Sequence, residues 1–381
     1  MKITIAAEIF PPDIGGPATY SEKLARELVR LGHQVSVICY STKAEAGNYP
    51  HKLIRIERGQ NTFFRYGRYL VELFRLAWSA DVVYTQGPVS SGLPALIVAK
   101  IINVKFVVKV VGDYAWEQAM NLGYTEKLID EFQKESRSGG TGKIHWLKKI
   151  ESWVCKNADR VIVPSAYLKK IVLGWGVPEG NIEVIFNAVD ADLEFDSEAS
   201  ESNSDSKNTI LSIGRLVPWK GFELLIDLMS ELLAINPNFK LVILGSGPLQ
   251  KVLQAKVEKL GIADKVEIKK VDAKTRDVYL KTAKMFVLNT GYEGLSHTIL
   301  EAMQAGTPVI TTNVGGNPEV VEHEKTGLLV EYNNKEQLKA AILKLYEDKE
   351  LREKLAENAK KELEKFSFEK MINKTLLVLR R

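Results

Sequence analysis

What most restricts the fold of this chain is an alternation that starts twice. Short buried-strand patterns at 2–7, 34–38, 82–85, 105–111, 160–163 and 183–185 are separated by turns and by stretches of helical periodicity. The pattern resumes at 209–214 and runs on through 241–244, 266–271, 285–288 and 309–312. Strand and helix in strict alternation predict parallel sheets with helical crossovers. The class expected is therefore α/β, with two Rossmann-like, doubly wound domains at 1–190 and 207–365. The 381 residues fit this, because one hydrophobic core rarely serves more than ~250–300 residues. Between the halves, 191–206 holds six acidic residues, no basic one and many serines, which reads as a solvated linker. Residues 335–365 read as two helices, and a last helix begins at Phe366.

Charge and cysteine content narrow the function. The 52 basic residues are interleaved with 48 acidic ones for a net +4, and no RNA-binding motif is present, so no nucleic-acid partner is expected. Cys39 and Cys155 form no C-x-x-C pair and have no histidine cluster beside them, which argues against a disulfide framework or zinc site and fits a reducing cytoplasm. Met1 to Ile5 enters a strand without the apolar core of a signal peptide. The most apolar region, Leu93 to Val111, is broken by Pro94, Lys100, Lys105 and Lys109, so no membrane span is expected. His33, in a turn without a carboxylate or nucleophile nearby, reads as structural.

Chemistry concentrates where strands end. Gly15-Gly16-Pro17 joins the first strand to an amphipathic helix; glycines there let the backbone approach a ligand closely and proline suits the first turn. Arg215 and Lys220 lie in the loop Gly214 to Gly221, where a guanidinium fork and an ammonium can neutralise a diphosphate without metal. Gly245 opens the next glycine turn, and backbone near Val271 and Asp272 is placed to read a base. Asp113 follows a strand, as either an acceptor-side acid or base or the cap of the next helix. Asp190-Ala191-Asp192 spells D-x-D but opens the linker instead of ending a strand, and is taken as linker. The run from Tyr292 to Pro308 is a loop feeding a helix: Gly294 for the entry, Ser296 or Thr298 as cap, Ile299, Leu300 and Met303 as the apolar face, Gly306 and Pro308 as the stop. A helix start favours phosphate, so Glu293 and Glu301 are read as acceptors for sugar hydroxyls, and the implied ligand is a sugar nucleotide. His297 reads as a packed or capping residue.

Glu293 and Glu301, with seven residues between them and the Ala302-to-Pro308 run behind, resemble the E-x7-E signature of retaining GT-B glycosyltransferases, family 4 in particular. The likeness covers nearly the whole chain and is densest from Gly214 to Gly327. It implies two Rossmann-like domains facing a central cleft, the first for acceptor and the second for donor, with the terminal helix 366–381 packing back on the first. It implies transfer of a hexosyl group from a nucleoside diphosphate sugar, UDP preferred, to a glycan or lipid-linked acceptor, with no metal or other cofactor, in polysaccharide or glycolipid synthesis. In its terms Gly16, Gly245, Val271, Gly294, Leu295, Ser296 and His297 face the donor; Arg215 and Lys220 hold the diphosphate; Glu301 takes the ribose and Glu293 the sugar; Asp113 stands on the acceptor side. Val111 or Gly112 occupies the place of a histidine frequent in the family. With no evident nucleophile, a front-face route is preferred, in which the leaving phosphate takes the acceptor proton. An epimerase or hydrolase on the same fold, or a silent nucleotide-sugar-binding protein, are the alternatives. Residues 52–75 and 143–156 interleave basic and aromatic side chains, which suits helices packed on a sheet or peripheral contact with the inner face of a membrane.

Overall fold

The computed structural model describes residues 1–13, 15–41, 48–59, 61–134, 142–189 and 208–381. The chain forms two compact units, one of Met1–Phe186 with Ile372–Arg381, the other of Asn187–Met371. The acidic segment 191–206, the D-x-D and most of the glycine-rich stretch 136–142 lie outside the described residues.

The first unit holds a seven-stranded sheet in the order β3-β2-β1-β4-β5-β6-β7, parallel throughout. Its strands are β1 (Lys2–Ala7), β2 (Gln34–Ser41), β3 (Lys52–Glu57), β4 (Val82–Gln86), β5 (Lys105–Lys109), β6 (Arg160–Val163) and β7 (Ile182–Val184). The central strands are apolar along their length because helices cover both faces; β4 is buried at every position. The helices are α1 (Gly16–Arg30), α2 (Thr62–Ala77), α3 (Gly92–Ile102), α4 (Tyr114–Asn121), α5 (Ile129–Lys134), α6 (Lys143–Lys156) and α7 (Ala166–Gly174). From Ile372 onward the closing helix belongs to this unit: Lys105 Nζ donates to the Val378 carbonyl at 2.6 Å.

The second unit repeats the scheme with six parallel strands in the order β10-β9-β8-β11-β12-β13. These are β8 (Thr209–Ile213), β9 (Lys240–Leu244), β10 (Val266–Lys269), β11 (Met285–Leu288), β12 (Val309–Thr312) and β13 (Leu328–Val330). Around them lie α8 (Phe222–Ile235), α9 (Gln250–Lys259), α10 (Ala273–Thr282), α11 (His297–Ala305), α12 (Lys335–Glu347) and α13 (Lys349–Glu362), with α14 (Phe368–Arg380) closing the chain. In both sheets the strand order reverses once, between β1 and β4 and between β8 and β11. Neighbouring loops diverge there, so each carboxyl edge opens a crevice at its switch point.

Two strands escaped the sequence reading. β3 mixes charged and apolar residues as an edge strand, and β13 has only three residues. The basic stretch 52–75 therefore divides: Arg55 donates to the Pro11 carbonyl at 2.6 Å and Arg58 to the Glu8 carbonyl at 3.0 Å, so both cations brace the loop after β1. Helix α6 also departs from the expected pattern. Leu147 and Val154 are buried as anticipated, but Lys148 is buried with them, its ammonium 3.6 Å from the centre of the Phe132 ring. Glu151 is buried too, and its Oε1 accepts from the Tyr114 and Ala115 N–H groups at 2.6 and 3.4 Å. A carboxylate on one helix thus satisfies donors at the start of α4. Glu151→Ala is expected to destabilise the protein by ~1–3 kcal/mol by orphaning those donors, and Glu151→Gln by less, both read as a fall in thermal midpoint.

Candidate functional site

In the second unit the loops leaving β8 and β11, the pair that flanks the switch point, are knitted together by backbone. The Trp219 carbonyl accepts from Gly291 N–H at 2.7 Å and Thr290 Oγ1 at 3.2 Å, and the Gly221 carbonyl accepts from Asn289 Nδ2 at 3.1 Å. This fixes the two loops that carry the predicted charges. Lys220, at the end of a short 3-10 turn, forms an ion pair with Glu293 across the crevice, each side chain only 14% exposed. Arg215 is exposed at the loop's other end, its guanidinium 5.5 Å from the centre of the Trp219 ring. Cationic charge is therefore present both recessed and at the rim.

The adjoining turns are held as closely. Gly245 N–H donates to the Lys269 carbonyl at 2.9 Å, and a Cβ at Gly245 would stand 1.9 Å from the Gly214 carbonyl oxygen. Only glycine fits there. Gly315, at φ +61°, donates no side chain to a spot where a Cβ would lie 2.3 Å from the Glu293 carbonyl oxygen, and the next N–H, of Gly316, donates to that oxygen at 2.8 Å. Thus the loop bearing Glu293 is pinned from both sides. Val271 is half-exposed beyond the edge strand β10, beside Asp272, whose carboxylate caps α10 through Thr275 N–H at 2.7 Å.

Helix α11 begins as read. Ser296 is the cap, its Oγ accepting from Ile299 N–H at 3.4 Å and lying 3.0 Å from Thr298 Oγ1. Ile299, Leu300 and Met303 are buried, and Gly306 at φ +78° ends the helix. Gly294, Leu295 and Ser296 are buried in the approach, where the Leu295 carbonyl accepts from Asn187 Nδ2 at 3.0 Å; His297 is half-buried at the first helical position. The N–H groups of this first turn and the helix dipole favour an anion. Glu301, one turn on, lies 3.4 Å from Arg276 Nη1 of α10. Sequence reading missed Arg276, which is 25 residues away and carries no motif. Arg215, Lys220, Gly245, Glu293, Ser296 and Glu301 therefore all lie at the carboxyl edge of one sheet. Among the described residues no group of three His, Cys, Asp or Glu side chains is placed to hold a metal ion.

In the first unit Gly16 is exposed at the start of α1, after β1. Asp113 is fully buried after β5; its Oδ1 accepts from Trp116 N–H at 2.7 Å and its Oδ2 from Gln133 Nε2 at 2.6 Å. That is the geometry of the helix cap, with both oxygens already engaged. Sequence reading passed over Glu8, which directly follows β1 at this sheet's switch point. Burial pushes its carboxyl above the ordinary range, against hydrogen bonds to Ser90; Glu117 adds to the rise and Arg58 opposes it. A single glutamate after a strand carries no motif, and only the fold shows that β4 delivers Gly87 and Ser90 beside it. No described helix is long and apolar enough to cross a membrane.

Comparison with known proteins adds two family models that divide the chain. "Glycosyltransferase Family 4" matches residues 14–193 and "Glycosyl transferases group 1" matches residues 194–362. An uncharacterised glycosyltransferase of Methanocaldococcus jannaschii is 27% identical across 99% of this chain and 97% of its own length. A GDP-mannose-dependent phosphatidylinositol monomannoside mannosyltransferase of Mycobacterium tuberculosis is 28% identical over 50% of this chain and 54% of its own. Among solved structures, Anabaena HepE in complex with UDP-glucose superposes with a TM-score of 0.74 at 18% identity, over 99% of both chains, which shows the shared GT-B fold.

Glu8 makes a stability prediction with a definite sign. Between the ordinary carboxylate pKa of 4.5 and the raised one the folded chain holds a proton that the unfolded chain has lost, so stability falls as pH rises through that window. Glu8→Gln is expected to flatten this slope and raise the thermal midpoint at neutral pH relative to acid, measured by unfolding from pH 4 to 8; an unchanged slope would contradict the burial argument.

Proposed function

Since the chain belongs to glycosyltransferase family 4 of the GT-B fold, we propose that it moves a hexosyl group from a nucleoside diphosphate sugar to a glycan or lipid-linked acceptor, with retention and without a metal. The observation that carries the reading is the set of loops at the β8/β11 switch point. Two cations and the start of a capped nine-residue helix lie on loops at one sheet edge, an arrangement that suits a diphosphate, with Glu293 and Glu301 on the same edge suited to hydroxyls. A UDP-sugar is the preferred donor, as in the HepE complex, although the mycobacterial relative's name specifies GDP-mannose. That relative also acts on a phosphatidylinositol-based lipid, which supports a lipid-linked acceptor here.

In this reading the glycosidic bond to the diphosphate breaks while the acceptor oxygen bonds the same face of the anomeric carbon. The acceptor proton passes to an oxygen of the departing phosphate. Arg215 and Lys220 oppose the charge that grows on that group, and because the loops are already braced this costs little rearrangement. The ion pair holds Lys220 ready and orients Glu293 toward the donor sugar, and Arg276 does the same for Glu301 and the ribose. Val271 lends backbone to the base. On the acceptor side Glu8 is better suited than Asp113 to meet a hydroxyl, since Asp113 spends both oxygens on the fold.

Release of nucleotide is to be measured over a panel of UDP- and GDP-sugars, with and without a mixed pool of glycan and lipid acceptors. Arg215→Ala is expected to lower kcat/KM by about 10²–10³ with an unchanged thermal midpoint, because Arg215 is exposed. Lys220→Ala should lose comparable activity and also stability, since it leaves the recessed Glu293 without its cation. Release that proceeds equally without acceptor would favour the hydrolase or epimerase alternative, and tight binding with no release would favour a silent binding protein.

A further inference from the structure

The sheet topology of the first unit joins features that lie far apart in sequence. The crossovers from β3 to β4, β4 to β5 and β5 to β6 all step in one direction across the sheet, so their right-handed connections put α2, α3 and α6 on the same face. Contacts of α3 with both α2 and α6 agree with this. The inner sides of these helices cover the sheet, with Tyr69, Leu73, Leu96, Val98, Leu147 and Val154 buried.

Their outer sides are unusual for a surface open to water. Phe63 and Phe64 are 82% and 72% exposed at the start of α2, Trp78 is 69% exposed at its end, Ile101 is 67% exposed on α3, and Trp146 and Trp153 are 63% and 49% exposed on α6. Isolated exposed apolar residues need no explanation, but this many bulky ones on adjoining helices do. The charge between them has one sign. The three helices carry eight basic residues and two acidic ones; Glu72 pairs with Arg75 at 3.0 Å, and Glu151 and Lys148 are both buried, so with these set aside six basic residues and neither acid remain for the outer side. Arg68 and Lys100 are exposed on this layer and Lys149 lies 5.4 Å from the Trp146 ring centre.

We propose that the α2–α3–α6 layer is a docking face for an anionic lipid surface, with the aromatic and aliphatic side chains entering the headgroup region and the cations meeting acidic headgroups. The two kinds of residue match the two attractions that hold an interfacial helix, buried apolar area and charge. A second copy of this chain is a poorer occupant, since two-fold pairing would set one cationic face against another. The proposal adds a surface to the transfer reading and does not need it: lipid binding is measured without donor or acceptor, so failure of either leaves the other standing.

The test is flotation of the full chain with vesicles of neutral phosphatidylcholine alone or with 30% phosphatidylglycerol, at about 50 and 500 mM salt. Binding is expected to the anionic vesicles only, and to weaken at high salt. The variant Phe63→Ser/Phe64→Ser and the variant Arg68→Glu/Lys100→Glu are each expected to weaken partitioning at least tenfold while circular dichroism and nucleotide-sugar binding stay as in the parent. Equal binding to neutral vesicles, or no loss in either variant, would overturn the proposal. So would a dimer that the Phe63→Ser/Phe64→Ser variant breaks into monomers, because the face would then be an interface between copies. A face that fails to float with lipid but holds an acidic polymer such as heparin would equally count against it.

Discussion

The close approach of backbone to backbone at the carboxyl edge of the second sheet is the constraint on which the proposed donor site depends. At Gly245 and Gly315 there is no room for even a methyl group, because carbonyl oxygens of Gly214 and Glu293 occupy the space a Cβ would need. Loops packed this tightly cannot swing, and their dipoles stay aimed. That matters for chemistry in which charge develops on a leaving group, since a dipole already in place stabilises it without first reorganising. The same packing leaves side chains few directions to point. Lys220 and Glu293, issuing from loops tied together through Trp219, Gly221, Asn289 and Gly291, meet across the crevice because the backbone brings them there.

The pairing of Lys220 with Glu293 also shows what a sequence leaves unsaid. Each residue reads as a candidate ligand from its own local pattern: a cation between glycines at a strand end, a carboxylate before a helix. That they would neutralise one another was not legible, because they are 73 residues apart and the contact depends on strand order. The same holds for Arg276 and Glu301. Glu8 is a stronger case, since its raised pKa comes from burial beside residues that β4 delivers, and nothing around it in the sequence predicts either. Local physics wrote the strand and cap positions plainly: Ser296 caps α11, and the strands of both sheets follow the apolar runs. Reading failed for β3, whose mixed pattern looked like a basic surface, and for Lys148, whose charge hid a buried position under α6.

Asp113 illustrates how the same signal can serve two ends. A carboxylate after a buried strand in an open α/β sheet stands where ligands bind, and it also stands where the next helix needs its first N–H groups satisfied. Here the helix has the better claim: one oxygen takes the Trp116 N–H and the other Gln133, in a site without exposure. An acid or base must meet a substrate proton, and here each carboxylate oxygen already accepts a hydrogen bond from the chain itself. Another carboxyl group near this edge is Glu8, held toward its neutral form by burial and so suited to donate as well as accept a hydrogen bond.

Basic residues in the first unit are sorted by the fold into two populations, and composition alone mixes them. Arg55 of β3 and Arg58 just beyond it close the loop after β1 through main-chain carbonyls. Lys105 holds the returning helix through the Val378 carbonyl. These cations are structural, and removing them costs packing before it costs charge. On α2, α3 and α6, Lys148 is buried against Phe132, Arg75 pairs with Glu72 and Arg65 donates to the Arg58 carbonyl, while Arg68, Lys100, Lys143, Lys149 and Lys156 are exposed, so the positive field of these five is open to a partner. A net charge of +4 over the whole sequence conceals that difference, because it sums charges that the fold has spent with charges that it has left exposed. For a chain whose acceptor is proposed to be lipid-linked, the second population has a use in that proposal that the first cannot have: it would draw the chain to the surface where such an acceptor resides, and leave Arg215 and Lys220 of the second unit to act on the donor.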